Sequence, residues 1–426
     1  MPKRTPLILR TWLLGTWLFS WVIVALSKYL HRRMGADPER FPERLGHCGS
    51  PQANDVIWFH AASLGEVMQI GPLAEYLART RQADILVTTT TAAGADWVAR
   101  AMPYASHRYV PIDTPAAVKR FLENWPISAA LFVEGDLWPR LVREVHNRGI
   151  PQILLNARDS RTRARVPAVF ASLLAPFSLI TGRSQNIVDD IRKLGLDETR
   201  VHELPDLRLT LPQLIADPSV TERLSQAIGT RKLWLAASTH PADEQTVLDA
   251  HLEVLKANPE ALLIVAPRHP RRGDPLNKMA RGKGFAVAQR SLAESVSAST
   301  QVYIVDTLGE LGGFFSLCPI VFMGGSIGSE GGHNPYEPAS FNTALVYGPN
   351  VKNFRDAYAA LTETGAAIQF QETAQLGAVL IDLMHSNQAE TMAQAGLSFM
   401  EDSQDCLSRY VDLIEPVLEQ SRATKS

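Results

Sequence analysis

The chain has 426 residues, of which 46% are hydrophobic and 20% are charged, and its formal net charge is −2 at pH 7. This length exceeds one ordinary hydrophobic core, so two domains are expected in a globular protein. A nearly neutral chain has no overall attraction for nucleic acid, and local clusters must carry any binding of anions. The three cysteines form neither a Cys-x-x-Cys pair nor an even disulfide set, which favours a reducing compartment.

The N-terminus is the most apolar part of the chain. Residues 7–30 include three tryptophans and carry only two charged side chains, Arg10 and Lys28. Such a stretch can span a bilayer or lie deep in it, and the flanking basic residues suit lipid headgroups. The small residues at 25–27 resemble a signal cleavage site, but the basic cluster at 28–33 opposes export. The pattern therefore predicts an uncleaved membrane-anchor helix in residues 1–33.

Beyond a polar connector at residues 35–52, apolar runs alternate with helical patterns. A helix is predicted from about Glu66, because apolar residues from Val67 to Leu77 recur on one helical face. Continuous apolar strands between helices are typical of a parallel sheet covered on both faces. Strands are predicted at 56–60, 85–88, 129–133, 153–155 and 179–180 in the first half, and at 232–237, 261–266, 302–305, 320–323 and 344–347 in the second.

The pattern restarts after a stretch near residues 204–218 that contains proline and charged residues. This restart indicates an α/β protein with two Rossmann-like, doubly wound domains, at residues 34–215 and 216–426. Ligands of such sheets bind beyond the carboxyl ends of the strands. We therefore expect the strand-end loops of both domains to face one central cleft.

One predicted strand of the second half leads into a glycine-rich loop. The apolar run at 319–323 is followed by five glycines within residues 324–332, and Pro335 suits the start of a helix. Glycines let backbone amides approach an anion closely, and a helix N-terminus adds a positive dipole end. The spacing matches neither a dinucleotide fingerprint nor a Walker loop, so it predicts only a site for an anion or a nucleotide phosphate. The candidate residues are Gly324, Gly325, Ser326, Gly331, Gly332, His333, Asn334 and Glu337.

Polar residues also end other strands of the second half. Arg268 and His269 follow a strongly apolar strand, where a charged pair needs a reason, and a guanidinium group suits a phosphate or a carboxylate. Ser238, Thr239 and His240 end another strand. These three residues could bind the same ligand or only cap the helix that follows.

The first half supplies acidic candidates. Glu66 could simply complement the dipole of its helix, or the same dipole could keep it ionised as a proton acceptor. Glu134 and Asp136 lie two residues apart and could orient other groups, act as a second base or only cap a helix. Ser63 and Arg158 are candidates for acceptor binding or for support of the site.

Signatures of metal and serine chemistry are missing from the sequence. No Asp-x-Asp, His-Glu-x-x-His or Gly-x-Ser-x-Gly motif occurs in it. Histidines occur one per loop, as His60, His240, His269 and His333. The sequence therefore predicts no metal site and no cofactor.

Taken in order, these loops resemble the 3-deoxy-D-manno-octulosonic acid (Kdo) transferases of Gram-negative bacteria, a GT-B glycosyltransferase family. The resemblance extends from about Gly35 to about Asp356. It implies a GT-B fold and the transfer of Kdo from CMP-Kdo to a lipid A precursor in lipopolysaccharide biosynthesis. The motifs that carry it are His60 to Glu66, Asn156-Ala157-Arg158, Ser238 to Pro241, Pro267 to Pro270, Asp306-Thr307 with Gly309-Glu310-Leu311, Gly324 to Pro338, Gly348-Pro349 and Asn353-Phe354.

The resemblance also implies roles for the residues and a location for the protein. The family's catalytic base falls on Glu66, with inverting, metal-independent transfer, and Glu134 survives from the second acidic motif. Residues 34–215 become the acceptor domain and residues 216–426 the domain that binds the CMP-sugar donor. The implied partners are CMP-Kdo, a lipid A precursor and membrane lipids, with the catalytic domains on the cytoplasmic side of the inner membrane.

The chain departs from the family pattern at three places. The family's Glu-Thr-Glu reads Glu134-Gly135-Asp136, its Gly-Asn-Leu-Lys before the linker keeps only the basic residue Arg208, and its Gly-Glu-Glu reads 242-Ala-Asp-Glu-244. Two alternatives therefore stay open. One is a GT-B transferase for another nucleotide sugar, such as a UDP-sugar, and the other is an inactive paralogue that binds lipid A precursors or a partner.

Overall fold

The computed structural model describes residues 5–47, 55–211, 214–216 and 218–423. The chain forms two compact units, the first from residues 1–211 and 404–426 and the second from residues 212–403. Each unit contains one parallel sheet of seven strands. The strands alternate with helices along the chain, as the apolar runs predicted.

The sheet of the first unit has the strand order β3-β2-β1-β4-β5-β6-β7. All neighbouring strands in it run parallel. The order reverses between β1 and β4, which makes the carboxyl ends of these two strands the switch point of a doubly wound sheet. The strands are β1 Val56–His60, β2 Asp84–Thr89, β3 Ala105–Tyr109, β4 Ile127–Val133, β5 Gln152–Ala157, β6 Phe177–Gly182 and β7 Val201–Glu203.

Apolar side chains cover both faces of this sheet. Every residue of β1 is buried, and Trp58 packs in one core cluster while Ile57 and Phe59 pack in the other. The side chains alternate between faces because successive residues of a strand point in opposite directions. The helices of this part are α1 Leu7–Leu18, α2 Ser20–Arg33, α3 Phe41–Arg44, α4 Leu64–Arg81, α5 Ala92–Ala101, α6 Pro115–Asn124, α7 Pro139–Asn147, α8 Arg161–Arg165, α9 Pro167–Leu174 and α10 Gln185–Arg192.

The sheet of the second unit has the order β10-β11-β9-β8-β12-β13-β14, with the same reversal between β8 and β12. Its strands are β8 Leu233–Thr239, β9 Leu262–Pro267, β10 Val287–Gln289, β11 Val302–Ile304, β12 Ile320–Met323, β13 Ala344–Tyr347 and β14 Ala367–Gln369. Its helices are α11 Pro218–Ile228, α12 Pro241–Ala257, α13 Gly273–Gly282, α14 Leu311–Leu317, α15 Tyr336–Ala339, α16 Arg355–Glu363, α17 Leu376–His385 and α18 Gln388–Asp402.

The last helix, α19 Cys406–Ala423, returns to the first unit. Tyr410 and Ile414 recur at four-residue spacing and lie in the same core cluster as Phe59 of β1. The Tyr410 hydroxyl also donates a hydrogen bond to the Pro205 carbonyl at 3.0 Å. The sequence-based boundary had assigned residues 216–426 to the second domain. Burial of this apolar stripe instead places residues 404–423 with the first sheet.

The N-terminal segment forms two helices where the sequence predicted one. Helices α1 and α2 meet at Phe19 with a bend of 83°. The Ser20 hydroxyl contacts the carbonyls of Thr16 and Trp17 at 2.6 and 2.9 Å, and such bonds compete with the helix ladder at the break. In the described part of the chain, neither helix alone has the length and apolar character to cross a bilayer, whereas the bent pair meets both criteria together.

Replacing Ile414 by alanine tests the place of α19. We expect Ile414→Ala to destabilise the first unit by about 2–5 kcal/mol, because it leaves a cavity under the first sheet. Hydrogen exchange should become faster in β4 and stay unchanged in β8. The exposed Asp412 serves as control through Asp412→Ala, and faster exchange in β8 alone would contradict the assignment.

Candidate functional site

The predicted polar residues gather at the switch point of each sheet. In the first unit Glu66 follows β1 and Glu134 follows β4, the two strands between which the order reverses. In the second unit His240 follows β8 and the glycine-rich loop follows β12, again on either side of the reversal. Ligands of open α/β sheets bind at this position. Each unit therefore has its candidate residues where its topology forms a crevice.

Glu66 lies in the first turn of α4, and its carboxylate is held in place. It accepts hydrogen bonds from the Ala62 amide at 2.7 Å and from the Ser63 hydroxyl at 3.1 Å. Ser63 caps the helix and accepts a bond from the Glu66 amide at 3.4 Å. The Glu66 side chain is only 7% exposed. It thus fulfils the capping role that the sequence left open, with its carboxylate fixed at the sheet edge.

Burial raises the pKa of Glu66 above its ordinary value, and the nearby Glu134 carboxylate raises it further. The Ala62 amide, His60 and Ser63 act in the opposite direction. The helix N-terminus, which the sequence argument expected to keep this group ionised, is therefore outweighed. A carboxylate with a raised pKa takes up a proton more readily, which is the property required of a general base.

Glu134 belongs to a closed ring of five hydrogen-bonded side chains. The Gln69 amide donates to Glu134 at 3.1 Å, and its oxygen accepts from Asn156 at 2.5 Å. Asn156 also donates to Asp206 at 3.0 Å. Arg208 closes the ring, with bonds to Asp206 at 3.3 Å and to Glu134 at 2.5 Å. The ring ties together α4, the loops after β4 and β5, and the segment after β7.

Arginines surround the Glu134 carboxylate. Besides Arg208, the guanidinium groups of Arg158 and Arg183 lie 3.6 and 3.8 Å from its oxygens. The backbone of Glu134 is left-handed, with φ 57°, as is that of Asn156, with φ 53°. Such backbone strain in residues other than glycine is typical of functional sites. The geometry favours an orienting role for Glu134, one of the roles that the sequence left open.

Asp136 supports a buried histidine. Its carboxylate lies 3.2 Å from Nε2 of His60, whose Nδ1 lies 3.0 Å from the Thr88 hydroxyl. Burial alone would raise the pKa of Asp136, but the hydrogen bond and charge of His60 lower it overall. The shorter acid of this chain therefore still reaches the strand-end histidine. His60 in turn acts electrostatically on Glu66.

In the second unit a buried carboxylate organises the glycine-rich loop. Asp243 accepts hydrogen bonds from the amides of Gly325 at 2.7 Å, His240 at 2.8 Å and Ile327 at 3.2 Å. Its side chain is fully buried, and burial raises its pKa against the effect of these three amides. Asp243 therefore joins the ends of β8 and β12 across the switch point.

The glycines serve close packing and tight turns. A Cβ on Gly324 would lie 2.7 Å from the Ser238 carbonyl oxygen, so only glycine fits there. Gly331 and Gly332 have φ of 93° and 81°, and both donate their amides to the Gly325 carbonyl. These amides fold the loop onto itself, whereas the sequence predicted that the loop's amides would cradle an anion.

Ser326 also has a structural position. Its hydroxyl is fully buried, donates to the Met323 carbonyl at 2.7 Å and accepts from the Gly348 amide at 2.9 Å. Ser238 has a left-handed backbone with φ 53°, and Thr239 is buried beside it. Of the predicted donor-binding residues, Ser326 thus holds the loop rather than presenting its side chain.

Three predicted histidines cluster in the second unit. Nε2 of His240 lies 2.9 Å from Nε2 of His333, with the two rings stacked at 9°. His269 packs edge-on against His240, with ring centroids 5.9 Å apart. Burial, followed by the charges of His240, Arg268 and His269, lowers the pKa of His333 to about 4. Arg268 is exposed, and its charge is felt by both His333 and Glu337.

The predicted helix after the loop is short. Helix α15 has four residues, so the dipole expected at its start is confined to one turn. Asn334 accepts from the Tyr336 amide at 3.2 Å and donates to Glu337 at 3.4 Å. Burial raises the pKa of Glu337, while Asn334 and Arg268 lower it.

Several site residues escaped the sequence analysis. Gln69 and Asp243 are buried polar side chains in otherwise apolar helix faces, and Arg183 directly follows β6. Each of these features was a signal visible in the sequence. Within the described ranges, no group of three or more His, Cys, Asp and Glu side chains is arranged to hold a metal ion. Cys318 and Cys406 are buried free thiols, and Cys48 lies outside those ranges.

Comparisons with known proteins agree on one family. A sequence profile described as 3-deoxy-D-manno-octulosonic-acid transferase matches residues 39–211. The probable mitochondrial 3-deoxy-D-manno-octulosonic acid transferase of Arabidopsis thaliana is 32% identical over 386 residues, which cover 86% of this chain and 86% of that protein. The corresponding transferase of Haemophilus influenzae is 28% identical over 404 residues, which cover 90% and 92% of the two chains.

A solved structure supports the fold. A glycosyltransferase from Rickettsia africae matches this chain with a TM-score of 0.57, covering 86% of this chain and 99% of the other. At 9% identity the likeness shows the fold alone. Together with the two seven-stranded parallel sheets, it confirms the predicted GT-B fold.

The pKa of Glu66 provides a test of this site. Glu134→Gln should lower it, because the variant removes a repelling carboxylate and leaves the neighbouring arginines in place. The measurement is a carbon-13 NMR titration of the glutamate carboxyl groups, assigned with Glu66→Gln. Glu75→Gln, on the exposed side of α4, is the control and should leave the titration unchanged. An unaltered or higher pKa in Glu134→Gln would refute the coupling.

Proposed function

The chain belongs to the 3-deoxy-D-manno-octulosonic acid transferase family, and we propose that it transfers Kdo from CMP-Kdo to a lipid A precursor with Glu66 as general base. The observation that carries the assignment of the base is the buried Glu66 carboxylate at the switch point of the first sheet. It has a raised pKa, and its oxygens are fixed by Ala62 and Ser63. Its position and its basicity both suit proton abstraction.

The proposed reaction is a single inverting displacement. Glu66 takes the proton from an acceptor hydroxyl while that oxygen forms a bond to the anomeric carbon of Kdo. The bond from this carbon to the phosphate oxygen of CMP breaks, and CMP leaves as a phosphate monoester. Because CMP already carries a stable negative charge, the leaving group needs no proton from the enzyme. Cationic side chains stabilise the developing charge, so the step as proposed requires no metal ion.

The second unit supplies groups that suit the donor. Arg268 is exposed at the carboxyl end of β9, and its backbone is held by a hydrogen bond from its amide to the Thr239 carbonyl at 3.0 Å. A guanidinium group there can pair with the phosphate of CMP or with the carboxylate of Kdo. His240, His269 and Glu337 provide further hydrogen-bonding groups for the nucleotide. We assign the donor to this unit on these grounds.

The two departures in the first unit preserve the interactions of the site. Asp136 contacts His60, and Arg208 forms an ion pair with Glu134. An inactive paralogue has no need to retain these contacts around a basic carboxylate. This argument favours the enzyme over the lipid-binding paralogue.

We further place the protein at the cytoplasmic face of the inner membrane, held by α1 and α2. Large apolar side chains on these helices are exposed, among them Trp17 at 61% and Trp21 at 74%. Lys28, Arg32 and Arg33 are exposed near the end of α2 and suit anionic headgroups. Such an anchor raises the local concentration of an acceptor that diffuses in the membrane.

Removal of the base tests the proposed reaction. Glu66→Gln should slow Kdo transfer about 10²–10⁴-fold while CMP binding persists, because general-base catalysis contributes on that scale. Products of CMP-Kdo and tetra-acylated lipid A precursor are weighed by mass spectrometry, and CMP binding is titrated by calorimetry. Glu75→Gln is the matched control on the same helix. Undiminished turnover by Glu66→Gln would remove the base assignment, and no transfer by the wild-type protein would remove the function.

The donor assignment has a separate test. Arg268→Ala should weaken CMP binding about tenfold or more, since charged hydrogen bonds contribute about 1.5–3 kcal/mol. Calorimetry compares CMP with UDP, and Lys278→Ala, an exposed lysine on α13, is the control. Equal affinity for CMP in the variant and the wild type would contradict the role of Arg268. Tighter binding of UDP than of CMP would favour a different nucleotide sugar.

A further inference from the structure

We propose that an apolar cavity between the bent helix pair and the first sheet binds one acyl chain of the lipid acceptor. This inference rests on the proposed function, which requires an acylated acceptor. The cavity has a volume of about 680 Å³ and lies within the first unit. That volume falls in the range of small-ligand sites, about 300–1,000 Å³. We call it the acyl cavity.

The lining of the acyl cavity is mainly hydrocarbon and aromatic. Helices α1 and α2 contribute Trp12, Phe19 and Ile23, and the loops after β3 and β4 contribute Val110 and Trp138. The rings of Trp12 and Trp138 lie 6.5 Å apart. A flexible hydrocarbon chain matches this lining, whereas a sugar or a nucleotide would leave its polar groups without partners.

Polar contacts hold the helices that form the outer wall. Nε1 of Trp12 donates to the Asp113 carboxylate at 2.6 Å, and Asp113 also accepts from the amides of Arg140 and Leu141 at the start of α7. The Arg140 guanidinium donates to the Thr16 hydroxyl at 2.8 Å. Helix α1 is thus bonded to the same unit that carries Glu66. The cavity is a built feature of the fold rather than a gap beneath a loosely attached anchor.

The acyl cavity is continuous with the exposed apolar surface of the two helices. Ile8, Phe19, Leu30 and Met34 line the cavity and are also 40–57% exposed. A chain entering from a bilayer would therefore meet apolar side chains along its whole path. This continuity favours a chain from a membrane lipid over a soluble apolar ligand.

The inner end of the cavity lies close to Glu66. The amide of Thr90, a lining residue, donates to the Ala62 carbonyl at 3.0 Å, and the amide of Ala62 donates to the Glu66 carboxylate at 2.7 Å. Only one residue thus separates the cavity wall from the proposed base. On another side Trp138, also a lining residue, follows Asp136 by two positions. A lipid with both an acyl chain and a reacting hydroxyl can use both places at once, which favours the acceptor over a bulk phospholipid.

The Thr90 hydroxyl adds a polar contact at that end. Its oxygen is buried and has no hydrogen-bond partner among the residues that the structure describes. The carbonyl oxygen of an ester or amide that joins an acyl chain to a sugar would satisfy this hydroxyl. The apolar lining and this single buried hydroxyl therefore match an acyl chain together with its linkage.

Filling the acyl cavity tests the proposal. A Cβ on Gly15 would meet open space, so Gly15→Leu extends a side chain into the cavity without a clash and replaces a weak helix former. Excluding two methylenes at about fourfold in affinity each should raise KM for the tetra-acylated acceptor about tenfold or more, with kcat little changed. The kcat/KM for the deacylated, phosphorylated glucosamine disaccharide should stay at the wild-type value.

Two further variants control for folding and for hydrophobicity. Ala25→Leu adds a side chain to the exposed side of α2, outside the cavity lining, and should leave both acceptors unaffected. Ile23→Trp fills the cavity from the second helix and should reproduce the effect of Gly15→Leu. An equal loss with both acceptors in Gly15→Leu, or an equal KM change in Ala25→Leu, would overturn the proposal.

Photocrosslinking tests the same site without relying on transfer. An acceptor analogue with a diazirine in one acyl chain should label peptides containing Trp12, Ile23 or Val110 in the wild-type protein, and Gly15→Leu should abolish this labelling. A phosphatidylethanolamine probe with the same diazirine chain should label these peptides weakly and be displaced by unlabelled acceptor. Equal labelling by the phospholipid, without displacement, would show a site for bulk lipid. Labelling by the acceptor in a protein without transferase activity would separate failure of the proposed function from failure of this inference.

Discussion

The candidate active site of the first unit depends on one constraint, the pairing of a buried carboxylate. Glu134 lies at the carboxyl end of β4 with its side chain desolvated, and an unpaired charge there would be costly. The ring through Gln69, Asn156, Asp206 and Arg208 satisfies it. Breaking one buried ion pair of this kind costs about 3–5 kcal/mol. The strand-end loops are therefore held in one arrangement.

This arrangement also determines the chemistry of Glu66. Burial raises its pKa, and the adjacent Glu134 carboxylate adds to the effect. Gln69 lies three residues beyond Glu66 in α4, so the same ring that fixes Glu134 also fixes the helix that presents the proposed base. Structure and reactivity are coupled here, because the groups that orient the base are the groups that shift its pKa.

The second unit follows the same principle with different partners. Asp243 is fully buried and is satisfied by three backbone amides instead of arginines. In each unit a buried carboxylate joins the loops on either side of the switch point. In the first unit its partners are charged side chains that reach the crevice. In the second unit it consumes the amides of the glycine-rich loop, which leaves Arg268 and the histidine cluster to meet the donor.

The sequence by itself determined the class of the fold, the ten interior strands of the two sheets and the positions of Glu66 and Arg268. Interior strands of a parallel sheet are apolar throughout, whereas the four strands that it missed, β3, β7, β10 and β14, are the edge strands, whose shorter or half-polar patterns resemble loops. Only the tertiary structure decided the bend between α1 and α2, the return of α19 to the first sheet and the partners of Glu134. These features depend on contacts between residues distant in the chain, as between Glu134 and Arg208, and local periodicity carries no record of such contacts.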